Sequence, residues 1–411
     1  MPTAPAQPEE LLYDWNLVGA PIRPTRPIEI DDETLRDGLQ SPSVRTPSVE
    51  EKIEILHAIA DIGVRFADLG YPGAGERSLN DVVGLAAEIG REGLPIEANC
   101  AGRTVPADIR PIAEAQQRSG VPIEASIYLG SSPIRQYVEG WDLDFLVRTT
   151  HEAVTLAKSL NLEVMFVTED TTRAEPADLA RIYNTAIEAG ARRICFSDTV
   201  GHATPWGVQS LISFGRELVD RQGEDVKIDY HGHRDRGLDV VNSITALASG
   251  ADRVHGCALG IGERIGNTSM EVLLINLRLL GWVDNDLSGL SAYCEAVSRA
   301  TRVAIPRDCP GIGNDAFETS TGVHAAAVLK ALQKGDTWLA NRVYSGVPAD
   351  MVGREQVITV GPMSGQANAT AWLTQRELPV DPDTVERILA VAKDSDRVLT
   401  DEEIFTLVAS S

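Results

Sequence analysis

Cysteine is scarce in this chain, and what there is does not cluster. Cys100, Cys195, Cys257, Cys294 and Cys309 are odd in number, scattered, and form no C-x-x-C pair. That excludes a disulfide frame and a thiolate zinc site. Basic charge is also short: 37 Lys and Arg stand against 60 Asp and Glu, a formal charge of −23. Nucleic acids and anionic membranes both need clustered cations, so neither is expected as a partner. A local basic pocket for a small anion stays open. No apolar run is long enough to span a bilayer. The opening "MPTAPAQPEELLYDWN" has Pro and acids where a signal peptide has a basic patch and an apolar run, which predicts a cytoplasmic compartment. No segment beyond the first residues is low-complexity, and no sequence repeat is evident.

What is present is a rhythm. Short β-rich runs recur, each trailed by an amphipathic stretch rich in Ala, Leu and Glu: "PIEID" at 27, "VRFADLG" at 64, "PIEANC" at 95 and "PIEASIYLG" at 122. The series continues with "EVMFVTED" at 163, "RICFSDT" at 193, "KIDYHGH" at 227 and "RVHGCALG" at 253. The helical stretches, such as "VEEKIEILHAIADIG", have a 3–4 residue apolar period, and several end in Gly (Gly63, Gly190, Gly250), as C′ positions do. Eight strands alternating with helices predict an α/β fold, a (β/α)8 TIM barrel, against an open doubly wound sheet. After about residue 285 the rhythm gives way to helices and a Gly/Pro-rich stretch. The expected division is an N-terminal segment 1–27, a barrel 28–285 and a mostly helical C-terminal subdomain 286–411.

Barrel enzymes carry catalytic residues at the C-terminal ends of their strands. Here those ends hold Arg36, Asp37 and Gln40, then Asp68, then Thr168, Glu169 and Asp170. Asp198 and Thr199 follow, then His231 and His233, and the last strand runs into "GIGERIGN". Chance surface charge does not phase with strands in this way. His231 and His233 share one side of a strand. Two imidazoles with a carboxylate, for which Asp37 is placed, suit Zn²⁺, Mn²⁺ or Fe²⁺ and tolerate Co²⁺ or Mg²⁺; two ordinary histidines are the competing reading. Arg36 beside that carboxylate can hold an oxyanion, or can be a structural ion pair with an acid such as Asp198. Asp31 and Glu33 read as a solvated acidic turn. Gly260, Gly262 and Gly266 lack the dinucleotide spacing and serve either a tight turn or close approach to a phosphate.

The blocks "DETLRDGLQSP", "VTEDTTR", "FSDTVGHATP", "HGHRDRGLDVVN" and "GIGERIGN" resemble the signatures of the α-isopropylmalate synthase/homocitrate synthase group of the DRE-TIM metallolyases, from about residue 28 to about 370. The resemblance implies a barrel that condenses acetyl-CoA with an α-keto acid using a divalent metal (Mg²⁺, Mn²⁺ or Zn²⁺). Asp37, His231, His233 and Asn267 would serve the metal. Arg36 would polarise the keto oxygen, Gln40 would support the metal shell, and Thr199 would bind the keto-acid carboxylate. Glu169, His324 and Tyr344 would complete the catalytic set, the last two reaching into a neighbouring subunit of a homodimer.

Departures from the family pattern, Arg234 after H-x-H and Asp68 closing strand 2, fall near the substrate. Arg234 there predicts a keto acid with a distal carboxylate, phosphonate or phosphinate; the alternative has it turned outward to Asp235 or Asp239. The rival activities are a lyase cleavage of a 3-hydroxyacyl-CoA, suggested by Leu39, and a metal-dependent hydrolase. The non-enzyme rival is an inactive paralogue serving as a partner subunit.

Overall fold

The computed structural model describes residues 11–19, 22–223 and 225–409. Residues 1–10, 20 and 21 of the expected N-terminal segment lie outside them. Eight parallel strands close into a barrel in sequence order: β1 (Glu29–Asp32), β2 (Phe66–Asp68), β3 (Glu97–Arg103), β4 (Ile123–Gly130), β5 (Glu163–Glu169), β6 (Arg193–Asp198), β7 (Lys227–Gly232) and β8 (Arg253–Gly256). The ring is shut by β1 against β8, with Glu29 opposite Arg253 and Asp32 opposite Gly256. The expected (β/α)8 barrel is therefore the observed one. No helix among the described residues is long and apolar enough to cross a membrane.

Alternation along the strands explains both the core and the site. Ile123, Ala125, Ile127, Phe166, Ile194, Phe196, Ile228 and Val254 face outward and are buried under the helices. The residues between them face the barrel interior, because side chains switch sides at each step. In β7 those are Asp229 and His231, and in β8 Arg253 and His255. TIM-barrel interiors are commonly filled by layers of branched aliphatic residues; this one is filled by charge. At its lower end Asp229 is wholly buried, 2.6 Å from both Arg193 and Arg253. Burial pushes the Asp229 carboxyl up, but the two guanidinium groups outweigh it and hold it well below the carboxylate range.

The helices begin and end on the expected signals. α1 (Val49–Asp61) starts with a full capping box between Ser48 and Glu51, and the chain leaves it through Gly63 at a φ of +74°. Beyond the barrel, helix α2 (Leu290–Thr301) packs on α1. Its Tyr293 donates a hydrogen bond to Asp32. The apolar core of the barrel continues through α2 to Ala349 and Val352. Two separate apolar clusters follow, one around Val328, Ile358 and Ala371 and one around Val360, Trp372 and Ile388. The packing thus changes well after residue 285.

The acidic turn does not exist as read from the sequence. Asp31, Asp32 and Glu33 are at most 2% exposed. Asp31 accepts from Asn99, Asp32 from Thr34 and Tyr293, and Glu33 from Arg36. A run of acids looks solvated until the barrel closes around it and supplies the partners.

Candidate active site

The C-terminal ends of the strands surround a cavity of about 420 Å³. Asp37 reaches it from the turn after β1, and His231 and His233 from the end of β7. Asp37 Oδ2 lies 3.3 Å from His231 Nε2 and 3.7 Å from His233 Nε2. The two Nε2 atoms are 3.3 Å apart. Ligands about 2.1 Å from a tetrahedral ion stand about 3.4 Å from one another, so this triangle matches the donor spacing of a divalent-metal site. All three side chains are buried. Asp37 Oδ1 and Asn267 Oδ1 are buried with no hydrogen-bond partner, as donor atoms kept for a ligand are.

The electrostatics agree. Burial would push the Asp37 carboxyl up, but Arg36 first, then His231 and His233, hold it well below the usual range. Burial, with His231 close by, pushes His233 down to about 4, which leaves a neutral imidazole able to coordinate.

Arg36 pairs with three acids and none of them is Asp198. Its Nη1 is 3.0 Å from Asp37 Oδ2, its Nε is 2.9 Å from Asp68 Oδ2, and it also pairs with Glu33. Asp68, expected to touch substrate, is 1% exposed and bonds Arg36 and the Gly70 amide. It acts on the site through Arg36. Burial pushes it up to about 7 despite that guanidinium.

Gln40, Glu169 and Thr199 line the cavity with Arg36. Thr199 Oγ1 accepts the Asp170 amide at 2.8 Å. Burial raises the Glu169 carboxyl against the pull of Arg135, which suits a group that moves protons.

Arg234 is turned away. Its Nε donates to Ile265 O at 2.6 Å and its Nη1 to Ser269 Oγ at 3.3 Å. The guanidinium is thus directed at the loop after β8 and not into the cavity, and the outward pairing with Asp235 or Asp239 is not what holds it. The glycines after β8 explain this. A Cβ on Gly260 would meet Arg234 Nη1 at 2.6 Å, and one on Gly266 would sit 1.8 Å from Gly260 O. These glycines make room for Arg234 and for each other. Asp235 is instead held by Nε and Nη2 of Arg264, at 2.8 and 2.9 Å.

His324 and Tyr344 are not in the cavity. They stack on each other, centroids 3.9 Å apart, on the exposed surface of the C-terminal region. Within a single chain they are therefore brought together with one another and not with Asp37.

Several cavity residues escaped sequence reasoning: Glu33, His255, Tyr71, Arg103, Tyr128 and Arg135. The signal for Glu33 and His255 was the inward alternation that flags His231, carried on to β1 and β8. His255 stands between two acids: its Nε2 hydrogen-bonds Asp229 at 2.9 Å, while its Nδ1 lies 2.8 Å from Glu33 without hydrogen-bond geometry. Glu33 Oε1 is also 3.5 Å from His231 Nδ1. Glu33, His231 and His255 make a second close group of potential ligands. Glu33 is already paired with Arg36 and His255 with Asp229, so this group is less free to hold an ion than Asp37, His231 and His233.

Comparison with known proteins fits this geometry. Residues 27–297 match the family described as HMGL-like. The chain belongs to the HMGL-like family. Within it, the chain is 31% identical over 362 residues to homocitrate synthase AksA of Methanopyrus kandleri, covering 87% of this chain and 85% of that one. It is 30% identical over 388 residues to 2-isopropylmalate synthase of Methylacidiphilum infernorum, covering 92% of this chain and 74% of the relative. An HMG-CoA lyase of Bacillus subtilis shares the fold at a TM-score of 0.56 and 19% identity, over 67% of this chain and 94% of that one. The HMGL-like relatives that match most of the chain are thus synthases of the 2-alkylmalate type, and the lyases are more distant.

Proposed function

We propose that this protein condenses acetyl-CoA with an α-keto acid to give a 2-alkylmalate-type product and CoA. The observation that carries the reading is the buried Asp37–His231–His233 triangle with Arg36 against it, facing a cavity whose far wall holds Glu169. A divalent ion bound there would act as Lewis acid and template for the keto acid. Arg36, fixed by three carboxylates, points its charge where an alkoxide would develop. Thr199 offers its hydroxyl to the keto-acid carboxylate, and Gln40 and Asn267 support the metal site.

Deprotonating the methyl group of acetyl-CoA is hard because that proton is far less acidic than imidazolium. Placement and oxyanion stabilisation must therefore supplement the base. Glu169 serves as an acid/base group from within the cavity. His324 and Tyr344, remote from their own chain's cavity, would reach the partner's cavity in a homodimer, which makes the C-terminal region part of the catalytic apparatus.

The test is release of free CoA from acetyl-CoA across a panel of α-keto acids, with Mg²⁺, Mn²⁺ or Zn²⁺ supplied. Thiol release dependent on both keto acid and metal is expected. Cleavage of a 3-hydroxyacyl-CoA without condensation would move the protein to the lyase reaction. Purified protein that binds no divalent metal would make it an inactive paralogue.

A further inference from the structure

Resting on that reading, we propose that Arg135 is an anion subsite which receives the distal carboxylate or phosphonate of a doubly anionic α-keto acid. Arg36, Arg103, Arg135 and Arg264 all line the cavity, but they are not equally free. Arg36 is shared among three acids. Arg103 is held by both oxygens of Asp108, at 2.7 and 3.1 Å. Arg264 is held by both oxygens of Asp235 and donates to Thr199 O at 2.6 Å. Arg135 makes a single-contact ion pair with Glu139 at 3.2 Å and feels the Glu169 carboxyl at longer range, and among the described residues its buried Nε has no acceptor. A buried guanidinium nitrogen without a partner costs stability unless a ligand completes it.

The position is built. Arg135 lies in the short helix after β4 (Pro133–Glu139). Ser131 ties the start of that loop to Glu169 at the end of β5, through its amide and its hydroxyl, both 3.0 Å from Glu169 O. Gln136 bonds back to Ser131 O at 2.9 Å. Gly130 is required beneath it, since a Cβ there would lie 2.6 Å from Arg135 Cγ.

The ligand follows from the layout. In a closed eight-strand ring, β4 and β5 stand opposite β8 and β1, so Arg135 faces Asp37 across the barrel mouth. The cavity lining includes neutral side chains from β3, β4 and β5, among them Ala101, Ser126, Met165 and Val167. A keto acid whose α-end is held at Asp37 and His231 would lay its methylenes along these side chains and present its second anion to Arg135. A guanidinium fork fits a carboxylate or phosphonate in two contacts.

The experiment is steady-state kinetics on wild type, Arg135→Gln and Arg135→Lys with oxaloacetate, 2-oxoglutarate and 2-oxoisovalerate. The expected result is a roughly 10- to 100-fold loss of kcat/KM for the doubly anionic acids in Arg135→Gln, the size of a lost charged hydrogen bond. Partial recovery is expected in Arg135→Lys, with little change for 2-oxoisovalerate or in the KM of acetyl-CoA. An equal loss on all keto acids, or a wild type that prefers 2-oxoisovalerate with no change of ranking, overturns the proposal. So does a rise confined to the KM of acetyl-CoA, which assigns Arg135 to the coenzyme phosphates. If no keto acid releases thiol, the condensation reading has failed by itself. Calorimetric titration of oxaloacetate then decides the subsite, upheld by tighter binding to wild type than to Arg135→Gln and overturned by equal binding.

Discussion

The two ends of the barrel interior are both buried and both charged, yet they are built for opposite purposes. At the lower end every charge is answered: Asp229 by Arg193 and Arg253, Glu29 by Arg193 and Lys227, and Glu124 by Arg253 at 2.9 Å. At the upper end Asp37 Oδ1, Asn267 Oδ1 and Arg135 Nε find no hydrogen-bond partner among the described residues. A saturated ion network contributes to holding one structure. Unsatisfied polar atoms in a cavity are tolerated where a ligand completes them. The unpaired atoms of Asp37, Asn267 and Arg135 distinguish this end of the barrel from the other more than charge does.

The sharpest way to break this comparison is to remove a group from each end. At the upper end, His233→Ala should lower divalent-metal affinity and kcat/KM by more than the ~10–100-fold that partners of metal ligands typically cost, with only a small change in melting temperature. Full metal content and full activity in that variant would remove the metal assignment.

Next in size is the contrast between barrel and C-terminal region. Mixed Arg36→Ala and His324→Ala subunits should recover activity that neither has alone. If subunits pair at random in a two-fold dimer, about a quarter of wild-type activity returns, because half the dimers carry one intact site. No recovery despite demonstrated subunit exchange would place the whole site within one chain.

At the lower end, Asp229→Asn should cost about 3–5 kcal/mol of stability, because it leaves Arg193 and Arg253 buried without their shared acid. Chemical denaturation measures this. Metal affinity of the surviving folded fraction should stay close to wild type; a variant as stable as wild type would mean the network is not saturated in solution.

The smallest effect expected is on pH dependence. Burial pushes Glu271, fully enclosed behind the loop after β8, up to about 7. A carboxyl raised on folding binds more protons in the folded state. Its contribution is complete below the unfolded value near 4.5 and is lost as pH rises through about 7, by up to about 3 kcal/mol. Glu271→Gln should flatten the stability profile between those limits. An unchanged profile would show that another group carries the slope.

Much of this was legible in the chain itself. The eight strands, the helix starts and stops, and the triangle Asp37, His231, His233 follow from period, capping and strand-end position, all local or repeating signals. Asp31 and Glu33 were misread because an acidic run looks the same on a turn and on a closing strand. Arg234 was misread because sequence adjacency to His233 says nothing about a long, flexible side chain. Gly260 and Gly266 offered it a niche behind the loop, while Arg135, distant in sequence, took the place beside Glu169.

By itself, the sequence determined which residues alternate inward, where helices cap, and which strand ends carry donors, since these depend on backbone periodicity and near neighbours. Only the tertiary structure decided which charges are satisfied. That depends on ring closure, which sets β8 against β1 and brings Arg253 and Arg193 to Asp229, Glu33 to His255, and Arg135 to the wall facing Asp37. Pairing of buried charge is a property of distances between remote segments, and those are fixed only when the barrel closes.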